Sequence, residues 1–495
     1  LLIVFYIEIQ QSNKQRILPI NVRSRSIIIL VCLAALALRL VTLAQTPTLA
    51  PEAYDTIRQV EHIRDTGVPF LTDPIAPELT ARPLPLFPYL LAFGTLLAPS
   101  ELVYALLPNL FAILLHAALF LLTLELTNNR LFAALAAIAS IFIPGYLQAT
   151  TITVSALSLA VPLLFFTLTL FIKLRKSKER RWLLLALTVA LLLTHPLALL
   201  LIPTLLVALG LATLRRAHGL AIQYEYALFA TALITWAHLL YYRDNILAHG
   251  LDAIHGNLPE SVRVAAYGSP SILALGLAVG VVPFGLALYA AYKEGVARHP
   301  GIQTTIALAA SAALGVAFAL VPIETGTILF ACACIPLAAV GLQHLRTYGR
   351  TLHHQWIAVA ATTMLLALFI FTSGLASIIV VGTDPMRGTP SDAIAAAQWI
   401  RENSLPNAVV LSSPELSDLV LYEAQRAPFL SNHYLAEDNV EERYVRSQVI
   451  LSGEASQEEI RNAHIDYILT TTMIRNSCTN TVRRGEYNVD KVLCN

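Results

Sequence analysis

The sequence predicts a mainly helical, polytopic membrane protein with a small α/β domain at its C-terminal end. Three observations lead there. Apolar residues make up 56% of the 495 and charged residues only 13%, about half the charged share of soluble proteins. Mean hydropathy is +0.64. Apolar runs recur through residues 26–381, whereas 382–495 is polar and charged. Together these exclude a disordered chain, an ordinary soluble enzyme and a nucleic-acid binder. The net charge of +1 selects no partner by itself.

A bilayer core takes about 20 apolar residues as a helix. Eleven stretches meet or approach this: 26–44, 102–124, 131–147, 152–172, 182–194, 196–212, 221–240, 271–292, 303–322, 327–345 and 356–381. The pair around His195-Pro196 reads either as two helices or as one proline-kinked helix. Two are preferred, because about 30 residues exceed one crossing. The segment 83–98 is apolar but short and rich in proline. Lys and Arg decide its place. If it does not cross, the inner loops hold seventeen basic residues and the outer loops five (Arg58, Arg64, Arg82, Arg243, Arg263). If it did cross, the dense run Lys173 to Arg181 would face outward. It is therefore expected to lie at the outer interface or to re-enter. No secretory signal is apparent, and the first span is expected to act as an uncleaved anchor.

Three parts follow. Residues 1–25 form a cytoplasmic tail. Residues 26–381 form the membrane domain, with a long first outer loop at 45–101. Residues 382–495 form an extracytoplasmic domain. In that domain Ser391–Asn403 reads as a helix with Ser391 as N-cap and Ile394, Ala397, Trp399 and Ile400 as its apolar face. Residues 407–413 and 466–471 read as buried strands. Ser456 and Glu459 have capping-box spacing. Alternating helix and strand predict a partly parallel sheet. Cys478 and Cys494 either pair outside the cell or remain as thiols. Cys332 and Cys334 lie within a span and read as small packing residues.

The first outer loop is the richest place for chemistry. Ile57, Val60, His62 and Ile63 make one partly apolar helical face; Pro51 suits its first turn and Gly67 its stop. Glu52 and Asp55 share a face near the helix start, where the dipole favours carboxylates. They are either simple N-terminal acids or paired catalytic carboxylates. In the second reading one acts as a general base, and the pair binds a divalent cation, Mg2+ or Mn2+, that neutralises a phosphate leaving group.

These residues carry a family resemblance. Glu52-Ala-Tyr-Asp-Thr-Ile-Arg58, then Gly67-Val-Pro, then Asp73-Pro and a proline-bearing apolar segment, resembles the GT-C glycosyltransferases, above all the archaeal oligosaccharyltransferase catalytic subunits. The tail agrees through Ala396-Ala-Gln-Trp399, Pro406-Asn-Ala-Val-Val-Leu411 and Tyr422-Glu-Ala-Gln-Arg426. In that family a catalytic Asp follows the first span, with an aromatic close behind and an Arg six residues on. Here Glu52 takes the Asp position, and the resemblance implies substrate contacts for Tyr54 and Arg58. It implies transfer of a sugar or oligosaccharide from a polyprenyl (dolichyl)-phosphate or -diphosphate carrier to a protein or lipid acceptor on the outer face. Two family features are missing. The turn at 144–155 has no carboxylate where a second acidic motif belongs, and the tail has no Trp-Trp-Asp. Ser413-Pro-Glu415-Leu-Ser-Asp418 falls near that place.

Other candidates are polar groups at the outer face. Glu324 lies in a short outer turn where the family carries a glutamate motif, and otherwise reads as a turn residue in water. Arg82, Arg243 and Arg263 are candidate phosphate clamps, since a guanidinium matches phosphate geometry. Arg243 and Arg263 belong to an outer loop, 241–270, long enough to be a lid. His195 either meets a phosphate or marks a helix break. Arg39, inside the first span, either has a function there or snorkels to the headgroups. His116 and His238 read as packing groups between helices. A secondary transporter and a non-catalytic scaffold with an outer α/β domain are the competing readings. A closed pocket around Glu52 and Asp55 separates them from an enzyme.

Overall fold

The computed structural model describes all residues except 1–21, 47, 71–72, 74, 77–83, 175–177, 215–220, 269–271, 297–299, 350, 352–363, 366, 370, 373, 375–387, 475 and 495. Ten of the eleven apolar stretches carry helix; the eleventh, 356–381, lies largely outside the described residues. Six helices are long and apolar enough to cross a membrane: Ser24–Gln45, Ser100–Thr127, Leu157–Leu174, Pro196–Leu214, Pro300–Ala317 and Ile323–Gly349. The bent pair Arg130–Ile141 and Pro144–Thr151 makes a seventh. The chain is a multi-pass membrane protein, but among the described residues six or seven helices meet these criteria, against the eleven expected.

Part of the difference arises where helices break. Arg181–Leu192 has 12 residues, roughly 18 Å of helix, well short of a bilayer core. The chain then stops at His195, whose Nδ1 accepts from the Leu197 amide and caps the turn Pro196–Leu200. Gly280, at φ 93°, divides Ile272–Val279 from Val281–Val296; left-handed backbone of this kind favours glycine. Pro144 opens a new helix after the break at Phe142-Ile143 and bends the path by 57°. The expected outer turn at 144–155 is thus mostly the helix Pro144–Thr151. The proline-bearing segment forms the helix Leu86–Thr95, roughly 15 Å long, too short to cross.

Helix Ile323–Gly349 packs against Val281–Val296, Pro300–Ala317, Leu114–Thr127 and Arg130–Ile141 and forms the centre of the bundle. Arg39 does not snorkel. It is 2% exposed and donates to Asn109 Oδ1 at 3.0 Å, Thr151 Oγ1 at 3.4 Å and Thr150 Oγ1 at 3.0 Å, with its guanidinium over the Tyr146 ring. It joins the first helix to Pro144–Thr151 through neutral partners. One residue beyond that helix, Ile152 carbonyl accepts from the Ala50 amide at 3.1 Å. Thr389 donates its amide and its hydroxyl to Leu49 carbonyl, each at 2.8 Å. The strand of chain that delivers Glu52 is therefore held from the membrane side and from the outer domain.

The C-terminal domain, called the outer domain after its expected side, forms among the described residues a five-stranded sheet in the order β2-β1-β3-β5-β4, with β1 Val409–Leu411, β2 Ala427–Pro428, β3 Tyr467–Thr470, β4 Thr479–Arg483 and β5 Asn488–Val492. β1 runs parallel to β2 and β3; β5 is antiparallel to β3 and β4. The helix Ser391–Asn403 buries Ala393, Ala396, Ala397 and Ile400. Its N-cap position is Pro390 rather than Ser391, and no side chain caps it, because proline carries no side-chain acceptor for the first amides. The Ser456–Glu459 capping box is formed as expected.

Cys478 and Cys494 are joined, with Cα atoms 5.2 Å apart and a separation of 16 residues. The bridge ties the base of the β4–β5 hairpin. A closed loop of that size removes about 3 kcal/mol of unfolded-chain entropy. Replacing both cysteines by Ser is expected to destabilise the outer domain by about that amount. Urea titration of the detergent-purified protein, read by proteolysis of the tail, measures it. An unchanged midpoint would show that the hairpin holds without the bridge.

Candidate active site

The first outer helix runs Ala53–Thr66 and stops at Gly67, whose φ of 82° lets its amide return to Ile63 carbonyl at 2.7 Å. One face buries Ala53, Tyr54, Ile57, Val60 and Ile63. His62 is half-buried and stacks on Phe70 at 4.2 Å. Arg58 donates to both carboxylate oxygens of Asp73 at 2.9 and 2.8 Å, and both side chains are buried. Asp73 also accepts from the Ile75 and Ala76 amides. Arg58, expected as a substrate contact, is engaged in clamping the following loop to this helix.

The helix docks on the outer domain. Tyr54 packs on Tyr422 with ring centres 5.3 Å apart, and Tyr422 Oη donates to Glu61 at 3.1 Å. Tyr54, also expected to touch substrate, is thereby buried in the junction. Burial first, and the Glu423 charge, push its phenol up against a hydrogen bond with Thr389 that lowers it.

Two outer-domain segments meet this helix, and the sheet explains why. Asp418 follows the C-terminal end of β1, and His433 follows that of β2. Parallel neighbours present those ends on one edge, where α/β sheets commonly bind ligands. Asp418 Oδ2 accepts from Asn432 Nδ2 at 2.8 Å. The Asn432 amide donates to Ser417 Oγ at 3.1 Å, and the His433 amide to Ser431 Oγ at 3.0 Å. These bonds fix the Asp418 carboxylate and the backbone that carries His433. His433 Nε2 then lies 3.2 Å from Asp418 Oδ1 and 3.5 Å from Asp55 Oδ1. Burial alone would lower the imidazole, but Asp55 and Asp418 outweigh it and hold its pKa well above the usual value. For Asp55, burial raises the carboxyl, yet His433 and then Arg58 leave it below the ordinary range.

Glu52 is reachable by solvent but crowded. Desolvation raises its carboxyl first; a backbone hydrogen bond opposes this, and the Asp418 and Glu415 charges raise it further. Glu324, in the first turn of helix Ile323–Gly349, is close enough for its charge to interact with Glu52. Glu52, Asp55 and Glu324, named from sequence, are thus brought together, and Asp418 and Glu415 join them. Asp55, expected to share a metal with Glu52, also belongs to a larger group of donors. Among the described residues, the donor atoms that converge within 4.8 Å belong to Asp55, Asp418 and His433. Glu52 lies outside that set because Asp55 turns to the His433 ring. The trio fits a metal: Asp418 Oδ1 and His433 Nε2 are buried, and neither has a hydrogen-bond partner.

The remaining candidates lie elsewhere. Arg82 is outside the described residues. Arg243 is the exposed first residue of helix Arg243–His249. Arg263 pairs with Glu260 and lines a separate open cleft of about 1000 Å3 with His249, Asp252, His255 and Glu441. His195 is committed to its cap and interacts with His238. His433 had no signal in the sequence, since no ligand spacing surrounds it.

The fold is similar to that of solved GT-C membrane glycosyltransferases. The archaeal oligosaccharyltransferase AglB from Archaeoglobus fulgidus, in complex with an inhibitory peptide and a dolichol-phosphate, superposes with a TM-score of 0.65 at 14% identity, over 91% of this chain and 69% of that one. Its complex with Zn and sulfate gives 0.61 at 15% identity, over 90% and 68%. ArnT from Cupriavidus metallidurans, bound to undecaprenyl phosphate, gives 0.58 at 14% identity, over 94% and 98%. The likeness is one of fold. No protein-family model and no curated protein matches the sequence.

Proposed function

We propose that the chain is a membrane glycosyltransferase that moves a sugar or oligosaccharide from a polyprenyl-phosphate or -diphosphate carrier to a protein or lipid acceptor on the outer face. The observation that carries the reading is the convergence of Glu52, Asp55, Glu324 and Asp418 where the first outer helix meets the outer domain, in a GT-C fold. The paired cysteines support an oxidising, extracytoplasmic setting for that domain, with the N-terminus cytoplasmic. The solved neighbours bound to dolichol-phosphate, an inhibitory peptide and undecaprenyl phosphate support such a donor and such an acceptor.

A lipid-phosphate donor brings its own leaving group. The acceptor's nucleophilic atom bonds to the sugar C1 and gives its proton to Glu52. The C1–O bond to phosphate breaks, and its electron pair leaves with the carrier. A raised carboxyl suits a base near neutral pH. Glu324 faces the same space and helps to orient the acceptor. Arg243 and Arg82 are the candidate guanidinium contacts for the carrier phosphate. Asp55, Asp418 and His433 would hold a divalent cation, which when bound supplies positive charge for the phosphate leaving group.

The test uses detergent-purified protein with polyprenyl-phosphate- and polyprenyl-diphosphate-linked sugars, offered protein and lipid acceptors. Mass spectrometry is expected to show loss of one loaded carrier and gain of its free phosphate form. No turnover with either carrier and either acceptor class would overturn the proposal.

A further inference from the structure

We infer that Asp55, Asp418 and His433 form a site for a single divalent transition-metal ion, of the manganese or zinc type, built across the boundary between the membrane domain and the outer domain. It rests on the proposed transfer centre for its role, and on geometry for its existence. The first outer helix supplies one ligand and the outer domain two. This differs from a site shared between the first outer loop and 144–155, since 144–155 has no carboxylate.

The separations fit coordination better than hydrogen bonding. Ligand atoms about 2.0–2.1 Å from a tetrahedral ion lie roughly 3.3–3.4 Å from one another. His433 Nε2 is 3.2 and 3.5 Å from its two carboxylate neighbours, whereas N–H···O bonds cluster near 2.9–3.0 Å. Asp418 is 1% exposed, and its Oδ1 meets the His433 ring as an ion pair at 3.2 Å without a well-aligned hydrogen bond; a buried polar atom of this kind asks for an explanation. One ligand has a group behind it, since Asn432 Nδ2 donates to Asp418 Oδ2, as outer-shell partners do in metal sites, and Ser431 Oγ accepts from the backbone amide of His433. The surrounding charge is also suited. Glu52, Glu415 and Glu324 add carboxylates, while the nearby Arg58 is spent on Asp73. An imidazole ligand selects against Mg2+, which prefers oxygen and keeps its waters.

The test is metal binding by the full chain in detergent, without donor or acceptor. Protein stripped with EDTA is reloaded with Mn2+, Zn2+ or Mg2+ and freed of excess ion by gel filtration. One Mn2+ or Zn2+ per chain is expected to remain, and little Mg2+. Pulsed EPR of the Mn2+ form is expected to show coupling to an imidazole nitrogen. His433→Gln should remove that coupling, and Asp418→Asn should lower retention at least tenfold. The wild-type measurements need no variant to fold. No retained ion, Mg2+ held as firmly as Mn2+, no nitrogen coupling, or coupling that survives His433→Gln would each overturn the site. Such a result leaves sugar transfer to be judged by its own assay, so the two failures are distinguishable.

Discussion

Glu52→Gln is expected to lower sugar transfer by at least 100-fold, the usual range for loss of a general base. The amide is nearly isosteric with the acid and cannot take the acceptor's proton. Glu52 sits at the N-cap position of helix Ala53–Thr66 and makes no side-chain cap bond. The Gln carbonyl can still accept the backbone hydrogen bond that the carboxyl accepts, so the helix start keeps its contacts. The replacement also relieves repulsion from Asp418 and Glu415, so the variant should fold at least as well as the wild type. The check is carrier turnover alongside thermal unfolding of the same preparation. Full activity with unchanged stability would remove Glu52 from the chemistry and leave Asp55 or Glu324 as the base.

Arg58→Ala is expected to act through the fold. The Arg58–Asp73 pair is buried on both sides, at 7% and 8% exposure. Removing one partner of such a pair costs about 3–5 kcal/mol, because the other charge remains buried. The Ile75 and Ala76 amides still serve Asp73, which favours the lower figure. The loop after the helix should loosen, and transfer should fall with stability. Arg58→Lys keeps the charge and should restore part of both. Thermal midpoint and donor KM, measured together, separate this from the role that the family resemblance implied. A raised KM with an unchanged midpoint would make Arg58 a substrate contact.

Much of the architecture was legible because its causes are local. The alternation of helix and strand in the tail, the Ser456–Glu459 capping box and the Gly67 stop all depend on residues a few positions apart. The shortness of 83–98 was visible for the same reason. Helix breaks were read less well. The run 131–147 looked continuous, yet Pro144 starts a new helix there, and hydropathy does not register a bend. Several of the eleven expected spans are interrupted at such places.

The site was half legible. Glu52, Asp55 and Glu324 could be named because each follows or precedes an apolar run at the outer face. Arg58 and Tyr54 were visible as residues, but not their engagement by Asp73 and Tyr422. Tyr422 and Glu61 meet across 361 positions, and no periodicity reports a contact at that range. His433 is the clearest case, since its nearest carboxylates come from another domain and another strand end.

The sequence by itself determined a membrane chain whose helices and outer α/β domain follow from hydropathy and short-range pattern, and whose charges direct attention to the outer face. Tertiary structure alone decided that Arg39 turns inward to Asn109, Thr150 and Thr151, and that Asp55 meets Asp418 and His433. The physical reason is range. Apolar patterning and capping act between near neighbours, whereas a site of converging side chains exists only once the parallel strands β1 and β2 bring their ends to one edge and that edge docks on the helix Ala53–Thr66.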